Sequence, residues 1–406
     1  MASHRDVAII GAGLSGLVLA LSLHQQNIQS TVYELRPAPL DIGGAITVSP
    51  NALQIIDKLG IYESVLSEGY PAEAFHFRSQ DDKPFDAYEI GSVEKYGYPG
   101  LRVYRRTVIK ALLGKCAEKN IKIVFGKKFK QIISESETGV TWEFDDGTVG
   151  EADTLVGTDG IHSRVRSYLY PDIEPKFMNV MAIAATIKTS QVEMPEDYSL
   201  PVTIMSRTHG AYILAPNFSD GSELVIVKQR RIEEHDREGW KNILADKEGS
   251  VDFLRQGVED FPEVVRQAVS AVTPDSVSIW PFYQVPKMER WTSIGGRVSI
   301  LGDAAHAIPP SSGQGANQVF EDAYTYALVR GQCDRDSLAS VLPKWQRGRQ
   351  ERIDRLIILA AQMNVRRLPE STQSEFCSEA VGTEDFNMEW LFKPDLDKMF
   401  QEWLAV

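Results

Sequence analysis

Asp6-Val7-Ala8-Ile9-Ile10-Gly11-Ala12-Gly13-Leu14-Ser15-Gly16 is the stretch that decides how this chain folds. Apolar residues from Val7 to Ile10 read as a strand and run straight into a GxGxxG. A helix is expected from Leu14 to Gln26, then a second apolar strand, Thr31 to Tyr33, ending in Glu34. Each part has a physical job. Gly11 permits the tight turn, Gly13 lets the backbone approach a pyrophosphate, and Gly16 lets helix and strand pack closely. The helix N-terminus faces diphosphate charge, and the Glu34 carboxylate can accept from ribose hydroxyls. The unit is a parallel βαβ start, and it predicts a dinucleotide site.

Working outward, the bulk properties narrow the class. With 406 residues, 43% of them hydrophobic, the chain exceeds the length at which one core stops growing, so two domains are expected. A formal charge of −13 repels nucleic-acid phosphates and anionic lipid heads. Lys127, Lys128 and Lys130 read as the solvated face of a strand. Cys116, Cys333 and Cys377 are odd in number and far apart, which suggests neither a disulfide framework nor a metal site. No metal, nucleic-acid or membrane partner is expected. The apolar run Val7 to Leu23 carries spaced glycines and lacks the flanks of a secretory leader. A cytoplasmic protein, monomer or homodimer, is the expectation.

Along the chain, Ala45 to Val48 reads as extended, and Pro50 opens a helix through Lys58 that stops at Gly60. A further helix fits Thr107 to Lys119. Between Phe177 and Ile279 the character changes to β-branched runs, Val202 to Met205, Tyr212 to Leu214 and Leu224 to Val227. Turns at Thr208 to Gly210 and Asn217 to Gly221 separate them, predicting an inserted antiparallel sheet. The strand-turn-helix pattern returns at Val298 to Leu301. A long helix from about Leu338 to Met363 and a helical tail near Asp395 to Leu404 follow. The expected fold is α/β: a Rossmann-like nucleotide domain (1–75, 98–176, 281–335), a substrate domain (76–97, 177–280) and C-terminal helices (336–406).

Two later segments say which nucleotide. Residues 153–166 contain Asp159-Gly160-Ile161-His162-Ser163-Arg164-Val165-Arg166, and residues 296–317 contain Gly302-Asp303 and run on through Pro309-Pro310-Ser311-Ser312-Gly313-Gln314-Gly315-Ala316-Asn317. With these in order after the GxGxxG, the sequence resembles the class A flavoprotein monooxygenases, such as p-hydroxybenzoate hydroxylase, salicylate hydroxylase and zeaxanthin epoxidase. The resemblance runs from residue 6 to about 365, interrupted in the inserted sheet. It makes the first segment the Asp-Gly motif, implicated in FAD and NAD(P)H binding, and the second the Gly-Asp motif, whose Asp303 carboxylate holds the ribityl chain. Tyr104-Arg105-Arg106 is similar to the family's HR-x-x-L segment, with Tyr for His, which places Arg105 over the FAD phosphates. Gly43-Gly44 is similar to the start of the flavin-flanking strand, and Arg36 is placed near the adenosine.

The resemblance thus implies FAD as cofactor, bound by Gly11, Gly13, Leu14, Ser15, Gly16, Glu34, Arg36, Gly44, Arg105, Asp159, Gly302, Asp303, Gly315, Ala316 and Asn317. It also implies NADPH or NADH as a transient reductant, since only one GxGxxG unit is found. Through a C4a-hydroperoxyflavin, one atom of O2 would reach an electron-rich aromatic or alkene by hydroxylation or epoxidation. Asp159 is also expected to serve as a turn residue at its strand end, and Asp303 to cap the helix that follows it.

The residues from Pro309 onward have a direct physical reading. Gly313, Gly315 and Ala316 let backbone approach a planar ring, and the helix beginning near Asn317 aims its positive end at it. The carbonyl around Pro310 would border the reactive face. His306 reads as structural rather than as a base. Substrate-pocket candidates are Ile46 and Val48 on the flanking strand, Thr203 with Met205, and Tyr212 with Leu214 on the inserted sheet. Tyr212 is the one able to relay a phenolic proton. The competing functions are a non-oxygenating flavin oxidoreductase (oxidative cyclase or reductase) and a non-enzymatic binding protein on the same fold.

Overall fold

The computed structural model describes residues 6–39, 43–334, 337–367 and 388–405. Cys377 and the polar stretch around it lie outside the described residues.

The opening unit forms as its pattern dictates. Asp6–Ile10 is the central strand of a five-stranded parallel sheet, between Gln29–Tyr33 on one side and Thr154–Gly157 on the other, with Lys122–Val124 and Val298–Ile300 at the edges. Helix Leu14–Gln25 lies between this sheet and helix Gly315–Gln332, so it is apolar on every side. Leu17, Val18 and Leu19 are fully buried, each contributing ~1.5–3 kcal/mol before chain entropy is charged against it. A methyl group at Gly16 would sit 1.9 Å from the Gly11 carbonyl oxygen, so the turn and helix could not keep this approach with any other residue.

A seven-stranded sheet forms the second layer. Its order is Val277–Gln284, Lys176–Lys188, Glu223–Arg231, Gly210–Pro216, Val202–Ser206, Ala74–Ser79, Pro84–Glu89. It is antiparallel except where Val202–Ser206 meets Ala74–Ser79 in parallel. Helices Arg237–Ala245, Lys247–Arg255 and Glu263–Ser270 lie in the same stretch of chain, where the β-branched character suggested sheet alone. The latter two pack with Tyr212, Leu214, Leu224 and Ile226 in one core, which fixes that face of the sheet as dry interior.

Two three-stranded sheets complete the frame. Ala45–Val48, Gly100–Tyr104 and Tyr70–Ala72 form one; Phe129–Ser136, Gly139–Phe144 and Val149–Ala152 form the other. Lys127, Lys128 and Lys130 pair with Asp146, Asp145 and Glu143 at 2.6, 2.6 and 3.1 Å at the surface of the latter. The helix Leu338–Arg367 packs on Gly315–Gln332, and Leu396–Ala405 packs on both. No described helix is long and apolar enough to cross a membrane.

Candidate functional site

Two cavities meet beneath the carboxyl ends of the parallel strands. One, of about 420 Å³, runs over the first glycine turn; the other, of about 500 Å³, lies between the loop Pro309–Gly315 and the seven-stranded sheet. Gly13, Arg105, Thr158, Gly160 and Asp303 belong to both walls. Together they make one elongated path from Glu34 to the inserted sheet.

At the first end, Gly11 has φ +108°, a conformation that favours glycine. Glu34 is buried and holds the turn open: one carboxylate oxygen accepts from Ala12 N–H at 2.8 Å, the other from Arg36 N–H at 3.0 Å. Glu34 also lines the smaller cavity. The Arg36 guanidinium stands 3.5 Å from the same carboxylate.

Asp159 caps helix Arg164–Leu169, accepting from the N–H groups of Arg164 and Val165 at 2.8 and 3.2 Å through Oδ2. Its Oδ1 is buried without a partner, and burial pushes its carboxyl above the usual range. Asp303 differs from expectation. Gly302 occupies the cap position of the short helix Asp303–His306, and the Asp303 side chain makes no capping bond. Its carboxyl is free to face both cavities, with its pKa raised by burial and opposed by the nearby Arg105. Arg166 ties the two motifs together, donating to the carbonyls of Ile161 and Ala304 at 2.7 and 3.1 Å.

The loop Pro309–Asn317 is held by side chains rather than by a strand. Asn317 accepts from Ser49 N–H at 2.9 Å and donates to the carbonyls of Thr47 and Gly313 at 3.0 and 2.8 Å. Gln314 donates to Ser49 Oγ at 2.9 Å, and Asn51 donates to Glu321 at 2.7 Å. Beneath them Glu321 and Asp322 pair with Arg349, and Glu321 also with Arg352. Arg352 and Arg349 hold Glu321, and His306 and Arg349 hold Asp322, down to about 2 despite burial. His306 joins this network, 2.5 Å from Asp322, in a purely structural place.

The cofactor expectations land as follows. Gly11, Gly13, Leu14, Ser15, Glu34, Arg36, Arg105, Asp159, Asp303, Pro310, Gly315 and Ala316 line one cavity or both. Gly16 and Gly302 act one layer behind as close-packing positions: a Cβ on Gly302 would stand 3.3 Å from Ser15 Oγ. Gly44 meets the site through its carbonyl, which accepts from Arg105 N–H at 3.3 Å, and Asn317 meets it as the loop staple.

The substrate-pocket expectations fare worse. Ile46 lines the larger cavity, but Val48 is buried in the main core. Tyr212 and Leu214 point to the opposite, helix-covered face: Tyr212 is fully buried, its hydroxyl donating to the Leu254 carbonyl and accepting from Lys228 at 3.0 Å. It cannot relay a substrate proton. Thr203 and Met205 lie on the cavity side of their strand but are covered, Thr203 completely. The residues that do face the cavity are the intervening ones, Ile213 and Ala215, with Val225 and Val227 on the next strand. Arg102, Tyr88 and Phe282 also line it and were missed, since nothing in their local sequence sets them apart.

The fit to a bound nucleotide can be judged from orphaned atoms. Arg105 Nε, Asp159 Oδ1, Ser15 Oγ and Ser312 Oγ are buried without hydrogen-bond partners and belong to cavity-lining residues. Buried polar groups left unpaired cost ~1–3 kcal/mol each, and these four belong to residues beside which a ligand could complete them. A cation beside the shared wall suits a diphosphate, the acceptors suit hydroxyls, and the glycine-rich loop suits a flat ring.

Comparison with known proteins agrees. The family described as FAD binding domain matches residues 4–330. The chain is 28% identical to a 3-amino-4-hydroxybenzoate 2-monooxygenase of Streptomyces platensis, over 81% of this chain and 80% of that one. It is 27% identical to a salicylate hydroxylase of Pseudomonas putida, over 86% and 83% respectively. A solved structure of a salicylate hydroxylase substrate complex superposes with a TM-score of 0.80, covering 100% of this chain and 99% of that one at 21% identity. With its nucleotide path, its three motifs in order and a match over most of its length, the chain belongs to the FAD binding domain family, among the class A FAD-dependent monooxygenases, and FAD is its cofactor.

Proposed function

We propose that the protein uses NADH or NADPH and O2 to hydroxylate the ring of a small, electron-rich aromatic held between the loop Pro309–Gly315 and the seven-stranded sheet. FAD supplies the redox chemistry, carrying electrons from the nicotinamide to O2 so that one oxygen atom reaches the ring. The chain binds, orients and keeps water out. Glu34 would hold the ribose, Arg105 the diphosphate and Asp303 the ribityl hydroxyls. The amino end of helix Gly315–Gln332 borders the ring site, where its partial positive charge favours negative charge on the ring. Phe75, Tyr88, Ile213, Val225, Val227 and Phe282 would give the substrate a mostly apolar enclosure.

The observation that carries this proposal is the continuity of the two cavities across Arg105 and Asp303, which puts a ring-sized space directly against an apolar sheet. Relatives named for a hydroxybenzoate and for salicylate support a small hydroxylated aromatic. The free, buried thiol of Cys116 supports a reducing, cytoplasmic setting. We assign residues 76–97 and 177–280 to the substrate lobe, the rest up to 335 to the FAD domain and 336–406 to the C-terminal helices, in a monomer or homodimer.

The test is to purify the yellow protein and screen aromatic compounds for faster NAD(P)H oxidation. The product formed under ¹⁸O2 is then weighed. One added heavy oxygen per turnover is expected. Reductant consumption or substrate oxidation without oxygen in the product would replace hydroxylation by a non-oxygenating flavin reaction.

A further inference from the structure

The larger cavity has three charged residues in its wall, Arg102, Arg105 and Asp303. Arg105 and Asp303 act on one another electrostatically at the junction with the smaller cavity. Arg102 has no such counterpart. It lies on strand Gly100–Tyr104, opposite Thr47 on strand Ala45–Val48, beside the apolar residues of the inserted sheet. Its Nε donates to Asn217 Oδ1 at 3.3 Å, and Asn217 in turn donates to Glu223 at 2.8 Å. No carboxylate of the described residues pairs with it. Burial lowers its pKa to about 10, opposed only by the nearby Tyr104.

An unpaired guanidinium in an apolar wall is costly to the protein alone, and a single neutral amide does not offset it. With Nε held by Asn217, the two terminal nitrogens remain for a partner. Their fork matches two oxygens of a carboxylate, and they can equally hold one phenolate oxygen. The cavity has room for an aromatic ring against Ile213, Ala215, Val225 and Val227, but offers no histidine or second acid to serve as a base. We propose that Arg102 is the anion anchor of the substrate pocket, so that the substrate is an aromatic ring carrying a carboxylate or phenolate. This rests on the function proposed above and adds the charge of the substrate and the residue that reads it.

The test uses the FAD-loaded protein, with ligand binding followed by perturbation of the flavin absorbance. Benzoate is compared with benzamide, and 4-nitrophenolate with nitrobenzene. The native protein should favour at least one anion over its neutral counterpart by about 10- to 100-fold, the range of a charge-assisted pair. A preference for benzoate names a carboxylate, and one confined to 4-nitrophenolate names a phenolate. Arg102→Met should erase the preference, Arg102→Lys should retain part of it, and both should keep FAD affinity within about twofold. Asn217→Ala, which frees Nε without removing the charge, should weaken the preference severalfold and guards against misfolding of the Met variant. Equal binding of anion and neutral form by the native protein overturns the proposal. So does an Arg102→Met protein that keeps its preference, or one that loses FAD as steeply as benzoate. A protein that never holds FAD overturns the functional assignment itself, whereas a yellow protein indifferent to charge overturns only the anchor.

Discussion

Beneath the loop Pro309–Asn317, every oxygen of Glu321 and Asp322 has a partner, drawn from Asn51, Gln318, Gly302, His306, Arg349 and Arg352. Across the same loop, Asp303 makes no capping bond, Arg105 Nε has no acceptor, and Arg102 has one amide. The two regions are built from the same residue types, the paired set buried and the unpaired set partly so. The paired set closes on itself and fixes the loop; the unpaired set faces a cavity and is completed by what binds there. Satisfaction of charge, together with depth, separates scaffold from site.

Breaking the paired set should have the largest effect. Arg349→Met leaves two buried carboxylates short of a cation, so the protein should lose ~3–5 kcal/mol in chemical denaturation, with or without FAD. A loss under ~1 kcal/mol would mean that the network is not the scaffold described here. The same pairing has a pH signature. Glu321 and Asp322 are held at about 2 in the folded state. Their contribution is therefore present above the ordinary carboxylate range and is lost as pH falls from there towards 2. Acid titration of native and Arg349→Met proteins should show a smaller loss in the variant, whose carboxylates keep Arg352 and His306.

The unpaired set should respond in the opposite sense. Asp303→Asn should weaken FAD binding by about 10- to 100-fold in a fluorescence titration, the size of a hydrogen bond to a charged group. It should leave the apoprotein equally or more stable, because the raised Asp303 pKa makes its ionised form unfavourable there. That penalty grows as pH rises through the raised value, so the variant's advantage should grow with pH as well. An apoprotein destabilised like Arg349→Met would erase the distinction between the two regions.

A smaller effect tests which side of the inserted sheet is which. Tyr212→Phe removes the hydroxyl that joins Lys228 to the Leu254 carbonyl, so stability should fall by ~1–2 kcal/mol while kcat stays unchanged. A large fall in kcat with native stability would return Tyr212 to the active site. Smallest of all, Thr203→Val replaces a fully buried hydroxyl without a partner by a methyl, and should change stability by less than ~1 kcal/mol, towards stabilisation. Thermal melts resolve that sign.

How much of this was legible varies with how local the cause is. The turn from Gly11 to Gly16, with Glu34 behind it, was readable because backbone geometry and a strand-end acid act within one βαβ unit. Asp159 read only as a turn residue although it caps helix Arg164–Leu169, and Asp303 read as a cap although Gly302 takes that position in the folded chain. On strand Gly210–Pro216 the alternation was plain, yet it cannot say which parity faces the cavity. Tyr212 and Leu214 went to the helical side because helices Lys247–Arg255 and Glu263–Ser270 cover that face. Val48 sank into the main core while Ile46, two residues earlier, reached the cavity. Arg102 gave no signal, because an arginine in a strand is ordinary until its neighbours are known to lack an acid.

The sequence by itself determined the nucleotide-binding frame, the order of the motifs and the presence of an inserted sheet, since these follow from glycine conformations, strand and helix periodicity and short-range capping. Tertiary structure alone decided which face of the sheet meets the ring, which buried charges are paired and where one cation is left over. Those outcomes depend on residues as far apart as Asn51 and Glu321, brought into contact only when the layers pack.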